Sequence, residues 1–257
     1  MQTDSQTEPG VFAFSPVALV RSCFKSKFGI PRQPGLVAEA RGSIVLQPPY
    51  NQPNAVRGLE GFSHIWVLFV FHESLRQGWK ATVRPPRLGG ETRVGVFASR
   101  SPFRPSPIGL SVLKLEKLNI AGQGRISLEV SGLDLLDGTP VLDIKPYLPY
   151  TDAIAEAQGG FAKNAPKTNA LQVKCSDMAA KQFDMLQKAG RQDLVRLCQK
   201  LIACDPRPAY QHEPQRQYSI FVEDYELVWQ AGLENGVAEI LELRKSTTRK
   251  PRRASDA

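Results

Sequence analysis

Short runs of apolar and β-branched residues, broken by proline and glycine, fill the first 150 positions of this 257-residue chain. Residues 12–20 and 35–46 are two such runs, with turn-forming residues between them. The stretch 62–71 is nearly continuous in apolar character, which suits a strand buried on both faces or a short core helix. Positions 93–98, 108–118, 125–130 and 141–147 continue the series. Short strands at this spacing, without intervening helices, predict a closed or nearly closed barrel. Gly42, Gly95, Gly109 and Gly132 fall inside or beside these runs, where strands bend or approach closely.

The pattern changes after Tyr150. Residues 155–168 are rich in Ala, Gly, Lys and Pro and read as a linker. Helical spacing then covers 176–188, through Met178, Phe183, Met185 and Leu186, with Ser176 as N-cap. It returns over 193–203 through Leu194, Leu197, Leu201 and Ile202. Positions 218–222, 225–229 and 237–243 read as strands, and the Gly-Leu-Glu-Asn-Gly run at 232–236 as a hairpin turn. The expected architecture is mainly β: a barrel followed by a smaller C-terminal α+β domain. Its boundaries are a polar N-terminal segment at 1–13, the barrel at 14–154, the linker at 155–168, the α+β domain at 169–243 and a basic disordered tail at 244–257.

Charge sharpens this picture. The formal net charge is +8, but it is held in two short segments. From 76 to 107 there are seven Lys/Arg and one acid; from 244 to 257 there are six and one. Such concentration suits a polyanion, because neutralising phosphates locally sets affinity. For the tail alone, a solubilising role is the simpler reading. The first residues lack the basic flank and apolar run of a secretory signal, and the most apolar stretch, 65–71, is too short to span a membrane. A cytoplasmic protein is expected. The four cysteines form no C-x-x-C pair, and the three histidines no zinc-type cluster.

Several common sites are missing. No strand leads into a G-x-G-x-x-G loop, and there is no P-loop or G-x-S-x-G elbow. Gln47-Pro48-Pro49-Tyr50 matches the Pro-Pro-aromatic tetrapeptide of doubly wound amine methylases only loosely, and a proline-stiffened turn is the better reading. The informative stretch is 93–115, where a strand runs into Ser99-Arg100-Ser101-Pro102-Phe103-Arg104-Pro105-Ser106-Pro107. Three prolines pre-set this loop's shape, and it carries two arginines suited to carboxylate or phosphate and an aromatic suited to a base. Three further stretches of interest are Pro31-Arg32-Gln33-Pro34-Gly35, Phe71-His72-Glu73 and Asp137-Gly138-Thr139-Pro140. Each alone has a bland reading, as a turn or a strand end.

Together they resemble one family. GLEGFSHIWVLFVFH at 58–72, VGVFASRSPFRPSPIGLS at 94–111 and DGTPVLDIKPYLPY at 137–150 are similar to motifs of the TsaA-like β-barrel methyltransferases, as are PRQPG at 31–35 and RPPRLGG at 84–90. Asp205-Pro206-Arg207-Pro208-Ala209-Tyr210 resembles a motif of the family's bacterial C-terminal extension, so the resemblance covers about 14–243. It implies a single-sheeted barrel that binds S-adenosylmethionine without a dinucleotide-type fold and acts as a homodimer. The implied reaction is methylation of the N6 amine of a threonylcarbamoylated adenine beside the anticodon of a threonine tRNA. The implied cofactor contacts are Pro31, Arg32, Gln33, His72, Glu73, Arg100, Leu110, Asp137, Gly138, Thr139 and Pro140.

On this reading Arg100 or Arg32 clamps the cofactor carboxylate, and Asp137 and Thr139 meet its ribose hydroxyls. Arg84, Arg87, Arg93, Arg104, Arg207 and Tyr210 are the candidate tRNA contacts. A proton must leave the amine at some stage; Asp143 and Tyr147 are near enough in sequence to be considered, and neither is assigned. Two other readings compete. One is a non-catalytic RNA-binding barrel; the other is a barrel that uses the same cofactor on a small molecule.

Overall fold

A computed structural model describes residues 12–122, 124–207, 213, 216–231 and 236–246. The barrel is built from six strands: β1 (Ala18–Ser22), β2 (Arg41–Leu46), β3 (His64–Val70) and, after two short strands β4 (Thr82–Val83) and β5 (Val94–Gly95), β6 (Ile108–Ala121), β7 (Arg125–Ser131) and β8 (Pro140–Pro146). They close in the order β1-β2-β7-β6-β3-β8, and every pair is antiparallel. Period-two burial explains why. Ile65, Val67 and Phe69 of β3 point inward, as do Ile126, Leu128 and Val130 of β7 and Val20 and Ile44 of β1 and β2. Closure is narrow at one seam, where β1 meets β8 through Ala18↔Val141 and Leu19↔Pro140 alone. Pro140 is tolerated there because it opens its strand.

β4 and β5 form a separate two-stranded ribbon outside the barrel. The run at 93–98, expected to be a strand, therefore contributes only Val94–Gly95 and then turns as a 3-10 segment over Val96–Ala98. Two other expected strands begin late. The 12–20 run starts pairing at Ala18, with Phe12 and Phe14 exposed, and Pro16, which has no N–H to donate, falls just before it. The 35–46 run starts at Arg41, because Gly35 takes a φ of 76° and the chain turns there.

A short helix α1 (Pro149–Asp152) ends the barrel region. The C-terminal unit holds β9 (Gln172–Cys175), α2 (Asp177–Lys188), α3 (Gln192–Ala203), β10 (Gln217–Val222), β11 (Tyr225–Ala231) and β12 (Val237–Lys245), with sheet order β10-β11-β12-β9. β9 was not anticipated: its four residues give too short a run for periodicity to register, and it lies parallel to β12. Ser176 caps α2, its Oγ accepting the Ala179 N–H at 3.1 Å. Apolar side chains of α3 from Leu194 to Ile202 are buried in this unit. The expected hairpin turn at 232–236 lies outside the described residues apart from Gly236, and the tail beyond Ser246 lies outside them too.

The two halves touch closely. Phe24 bridges to Val222, the Glu223 N–H donates to the Cys23 carbonyl at 2.6 Å, and Phe28 stacks on Tyr218 at 5.9 Å. Burial pushes the Cys23 and Cys198 thiols up to about 12, so both are inert packing groups.

Gly42 stands where β1, β2 and β7 meet. A Cβ there would overlap the Arg21 carbonyl oxygen and press on Leu133 at 2.8 Å. Gly42→Ala should destabilise the protein by about 1–3 kcal/mol in a urea titration; an unchanged midpoint would show that the barrel yields at this crossing.

Candidate functional site

The ends of β1, β3 and β7 and the starts of β2, β6 and β8 lie at one end of the barrel, because neighbours run antiparallel. The loops that leave and enter there enclose a cleft of 520 Å³. Its walls come from 30–33 after β1, 71–74 after β3, the 99–107 loop with the start of β6, and 134–139 between β7 and β8. These segments are remote in sequence and adjacent only because the barrel closes. Backbone bonds lock them together: Gly35 N–H to the Gly132 carbonyl at 2.8 Å, Leu133 to Ala40 at 3.0 Å and Asp137 to Phe24 at 3.0 Å.

Of the cofactor contacts named from the sequence, Pro31, Arg32, Gln33, His72, Glu73, Arg100, Leu110 and Thr139 line this cleft. Arg100 Nη1 donates to Gln33 Oε1 at 2.8 Å, joining two walls. Arg32 Nη2 donates to the Arg207 carbonyl at 2.7 Å, so the C-terminal unit steadies the loop that carries it. Lys27 Nζ donates to the Glu73 carbonyl at 2.6 Å, and Glu73 Oε1 stands 3.9 Å from His72 Nε2 at the rim. Asp137, Gly138 and Pro140 are not part of the lining. Asp137 Oδ1 accepts the Ser22 N–H at 2.8 Å and Oδ2 meets Lys25 Nζ at 3.0 Å, while the Gly138 N–H donates to Val20. These residues fasten the edge of the site to β1.

The polyanion candidates divide. Arg84, Arg87 and Arg93 are exposed on the β4–β5 ribbon and its connecting turn. That ribbon is attached to the cleft wall by Lys80, whose N–H donates to the Phe103 carbonyl at 3.0 Å and whose Nζ sits 4.8 Å above the Phe103 ring. Arg104 is turned inward, its Nη1 donating to the carbonyls of Ser99 and Ser101 at 3.1 and 3.4 Å. The Arg207 guanidinium is forked on Asp205 at 2.7 and 2.8 Å. Tyr210 lies outside the described residues. Gln47-Pro48-Pro49-Tyr50 takes no part in the cleft, and Gln47 Nε2 caps Val45 instead. Asp143 and Tyr147 are also outside it; Asp143 pairs with Lys145 at 2.7 Å and Tyr147 packs on Trp66.

Four cations (Lys27, Arg32, Arg100 and Arg104) face two carboxylates, Glu73 and Asp134, across a wall made apolar by Phe69, Ile108, Leu110 and Leu135. This combination suits an anionic molecule with an apolar part. Sequence reasoning missed Asp134, Ser111 and Lys27. For Asp134 a signal existed: it is the one polar residue among Leu133, Leu135 and Leu136. Burial pushes its carboxyl up to about 6, against a smaller pull from Ser111 and the charge of Arg100. Neither Asp134 Oδ1 nor Ser111 Oγ makes a hydrogen bond of regular geometry.

The family model described as the tRNA-methyltransferase O N-terminal domain matches residues 19–153, and that of the TrmO C-terminal domain matches 168–246. The chain belongs to the tRNA-methyltransferase O family. It is 45% identical over 228 residues to a tRNA (adenine(37)-N6)-methyltransferase of Escherichia coli K12, covering 87% of this chain and 96% of that one. It is 48% identical over 216 residues to a putative S-adenosylmethionine-dependent methyltransferase of Pseudomonas aeruginosa, covering 84% and 90%. A crystal structure of TrmO from Pseudomonas aeruginosa superposes with a TM-score of 0.74 at 39% identity, over 91% of this chain and 99% of that one. The family match spans both the barrel that forms the cleft and the unit that holds Arg32.

Because the Asp134 carboxyl is raised on folding, its ionisation opposes the folded state as pH climbs from the ordinary aspartate value to about 6. Asp134→Asn should therefore be more stable than the wild type above about pH 6 by up to roughly 3 kcal/mol, and no more stable at about pH 4. Thermal melts across that range test this; parallel curves would refute it.

Proposed function

We propose that this protein methylates the N6 amine of adenine 37 in tRNA with S-adenosylmethionine. The observation that carries the reading is the convergence of Arg32, Gln33, His72, Arg100 and Leu110 on one cleft. The chain is also alike over nearly its whole length to a relative named for that reaction. The finer substrate, a threonylcarbamoylated adenine in threonine tRNA, belongs to the same proposal, as do a homodimer and a cytoplasmic location.

The cleft suits the cofactor. Its volume lies within the usual range for small-molecule sites, and its donors include two arginines at the loops. Arg100 and Arg32 would hold the carboxylate, Arg100 steadied by Gln33 and Arg32 by the Arg207 carbonyl. Leu110, Ile108 and Leu135 would cover the adenine face, and Thr139 lies at the same wall. Asp137, Gly138 and Pro140 would support this wall from behind, through Ser22, Lys25 and Val20. When bound, S-adenosylmethionine supplies a methyl group already activated on a sulfonium. The protein's task is then alignment and exclusion of water, which the interlocked loops serve.

Arg84, Arg87 and Arg93 would meet tRNA phosphates from the ribbon, with Arg104 holding the adjoining loop and Arg207 bracing Arg32. The Lys80–Phe103 contact then ties the phosphate grip to the wall where the chemistry occurs.

Two measurements test this. Arg100→Ala should weaken S-adenosylhomocysteine binding by about 10- to 100-fold in calorimetry, the value of a lost charge-assisted bond; unchanged affinity would remove Arg100 from the site. Replacing Arg84 and Arg87 together by Ala should weaken tRNA binding and lower the slope of log K against log salt by about 1–2. An unaltered slope would clear both residues of phosphate contact.

A further inference from the structure

Methylating an amine leaves a proton to be removed, and the acids that sequence proximity brought forward do not reach the cleft. Asp143 is paired with Lys145, and Tyr147 meets His64 edge-on and Trp66 at a tilt. Most acids around the barrel already have their lone pairs engaged. Asp137 is held by Ser22 and Lys25, Asp152 accepts from the Trp66 indole and the Leu148 N–H, and Glu116 accepts from Ser131 and Lys114. The donors to Glu116 hold its carboxyl below the usual carboxylate range, since they stabilise the charge that protonation would remove.

Asp134 differs. It lines the cleft, its Oδ1 is buried, and that atom is the only buried carboxylate oxygen without a hydrogen bond of regular geometry among the described residues. The buried neighbours Leu133 and Leu135 fix its backbone on both sides. Ser111, on the inward face of β6, is at the same wall and pulls the Asp134 carboxyl down, though its Oγ makes no hydrogen bond of regular geometry. A buried polar atom without a well-formed hydrogen bond is costly, and two of them on residues that line a cleft read as preparation for a bound molecule. The other groups in the cleft that bear on it are Arg100, Arg104, Arg32, Lys27, His72 and Glu73; Glu73 sits exposed at the rim beside Lys27.

We propose that Asp134 is the catalytic residue that takes the proton from the adenine amine during methyl transfer. The inference rests on the function proposed above. The amine nitrogen bonds the methyl carbon as the carbon–sulfur bond breaks, and the electron pair of that bond stays on sulfur. The nitrogen sheds its positive charge by giving its proton to the Asp134 carboxylate, and water takes the proton once product leaves. A carboxyl raised to about 6 is ionised at neutral pH and still a better acceptor than an ordinary aspartate. Methylation measured as kcat/KM should therefore rise through about pH 6 and level off above it.

The test is Asp134→Asn, which keeps the shape and removes the acceptor. Its single-turnover rate of methyl transfer to tRNA should fall about 10²- to 10⁴-fold and its acid limb should vanish. Its affinity for S-adenosylhomocysteine should stay within about threefold of wild type, since a base for the amine does not hold the cofactor. Transfer within about threefold of wild type overturns the proposal. So does a loss of cofactor affinity as large as the loss of rate, which would make Asp134 a cofactor-holding group. If the variant does not fold, the wild-type limb decides. A limb insensitive to temperature is that of a carboxyl and supports Asp134; one that moves as an imidazole does assigns the proton to His72 and overturns it. Wild-type protein that transfers no methyl to tRNA brings down the function itself, a result distinct from a failure confined to the variant.

Discussion

Two glycines in contact set the geometry of the site. Gly35 and Gly132 both take positive φ, the Gly35 N–H donates to the Gly132 carbonyl, and a Cβ at Gly132 would lie 3.0 Å from Gly35 Cα. The close approach leaves no room for a side chain at Gly132, and the positive φ favours glycine at both positions. The contact joins the loop that carries Arg32 and Gln33 to the segment that carries Asp134 and Thr139. From that point the chain runs one way into β2 and the other way from β7, so the spacing of the two cleft walls follows from a backbone contact and not from side-chain packing.

Much of the fold could be read from the chain because the barrel strands obey a two-residue period with one buried face. β7 alternates from Arg125 to Val130 and was expected at 125–130; β3 alternates in burial along its whole length, although its apolar run, 62–71, left a strand and a short core helix both open. What escaped was set by contacts distant in sequence. β9 exists because β12 offers it an edge, and the 93–98 run stops being a strand because its partner is a two-residue ribbon. The helices were legible for the opposite reason: α2 and α3 carry their own stripe of apolar residues, and Ser176 its own cap.

The site was legible as segments and not as roles. The proline-framed loop at 99–107 and the basic loop at 31–33 stand out in composition, and the fold brings both to one cleft. Asp137 was drawn to notice by its motif, whereas its carboxylate fastens β1. Asp134, three residues earlier, is an acid in an apolar run and was not singled out. Whether an acid serves structure or chemistry depends on which donors surround it, and spacing along a chain carries no record of those donors.

The contacts between the halves bear on how the molecule melts. Phe24 sits against Val222, Phe28 against Tyr218, and a Cβ at Gly29 would collide with Ile220. The buried side chains of barrel and C-terminal unit form one continuous cluster. Two folding units that share an interior lose their apolar contacts together, so heat should drive them through a single cooperative transition. Cutting the chain between them would leave wet, aromatic surface on the barrel and free the loop that Arg32 anchors. The C-terminal unit is thus a part of the barrel's solvent boundary.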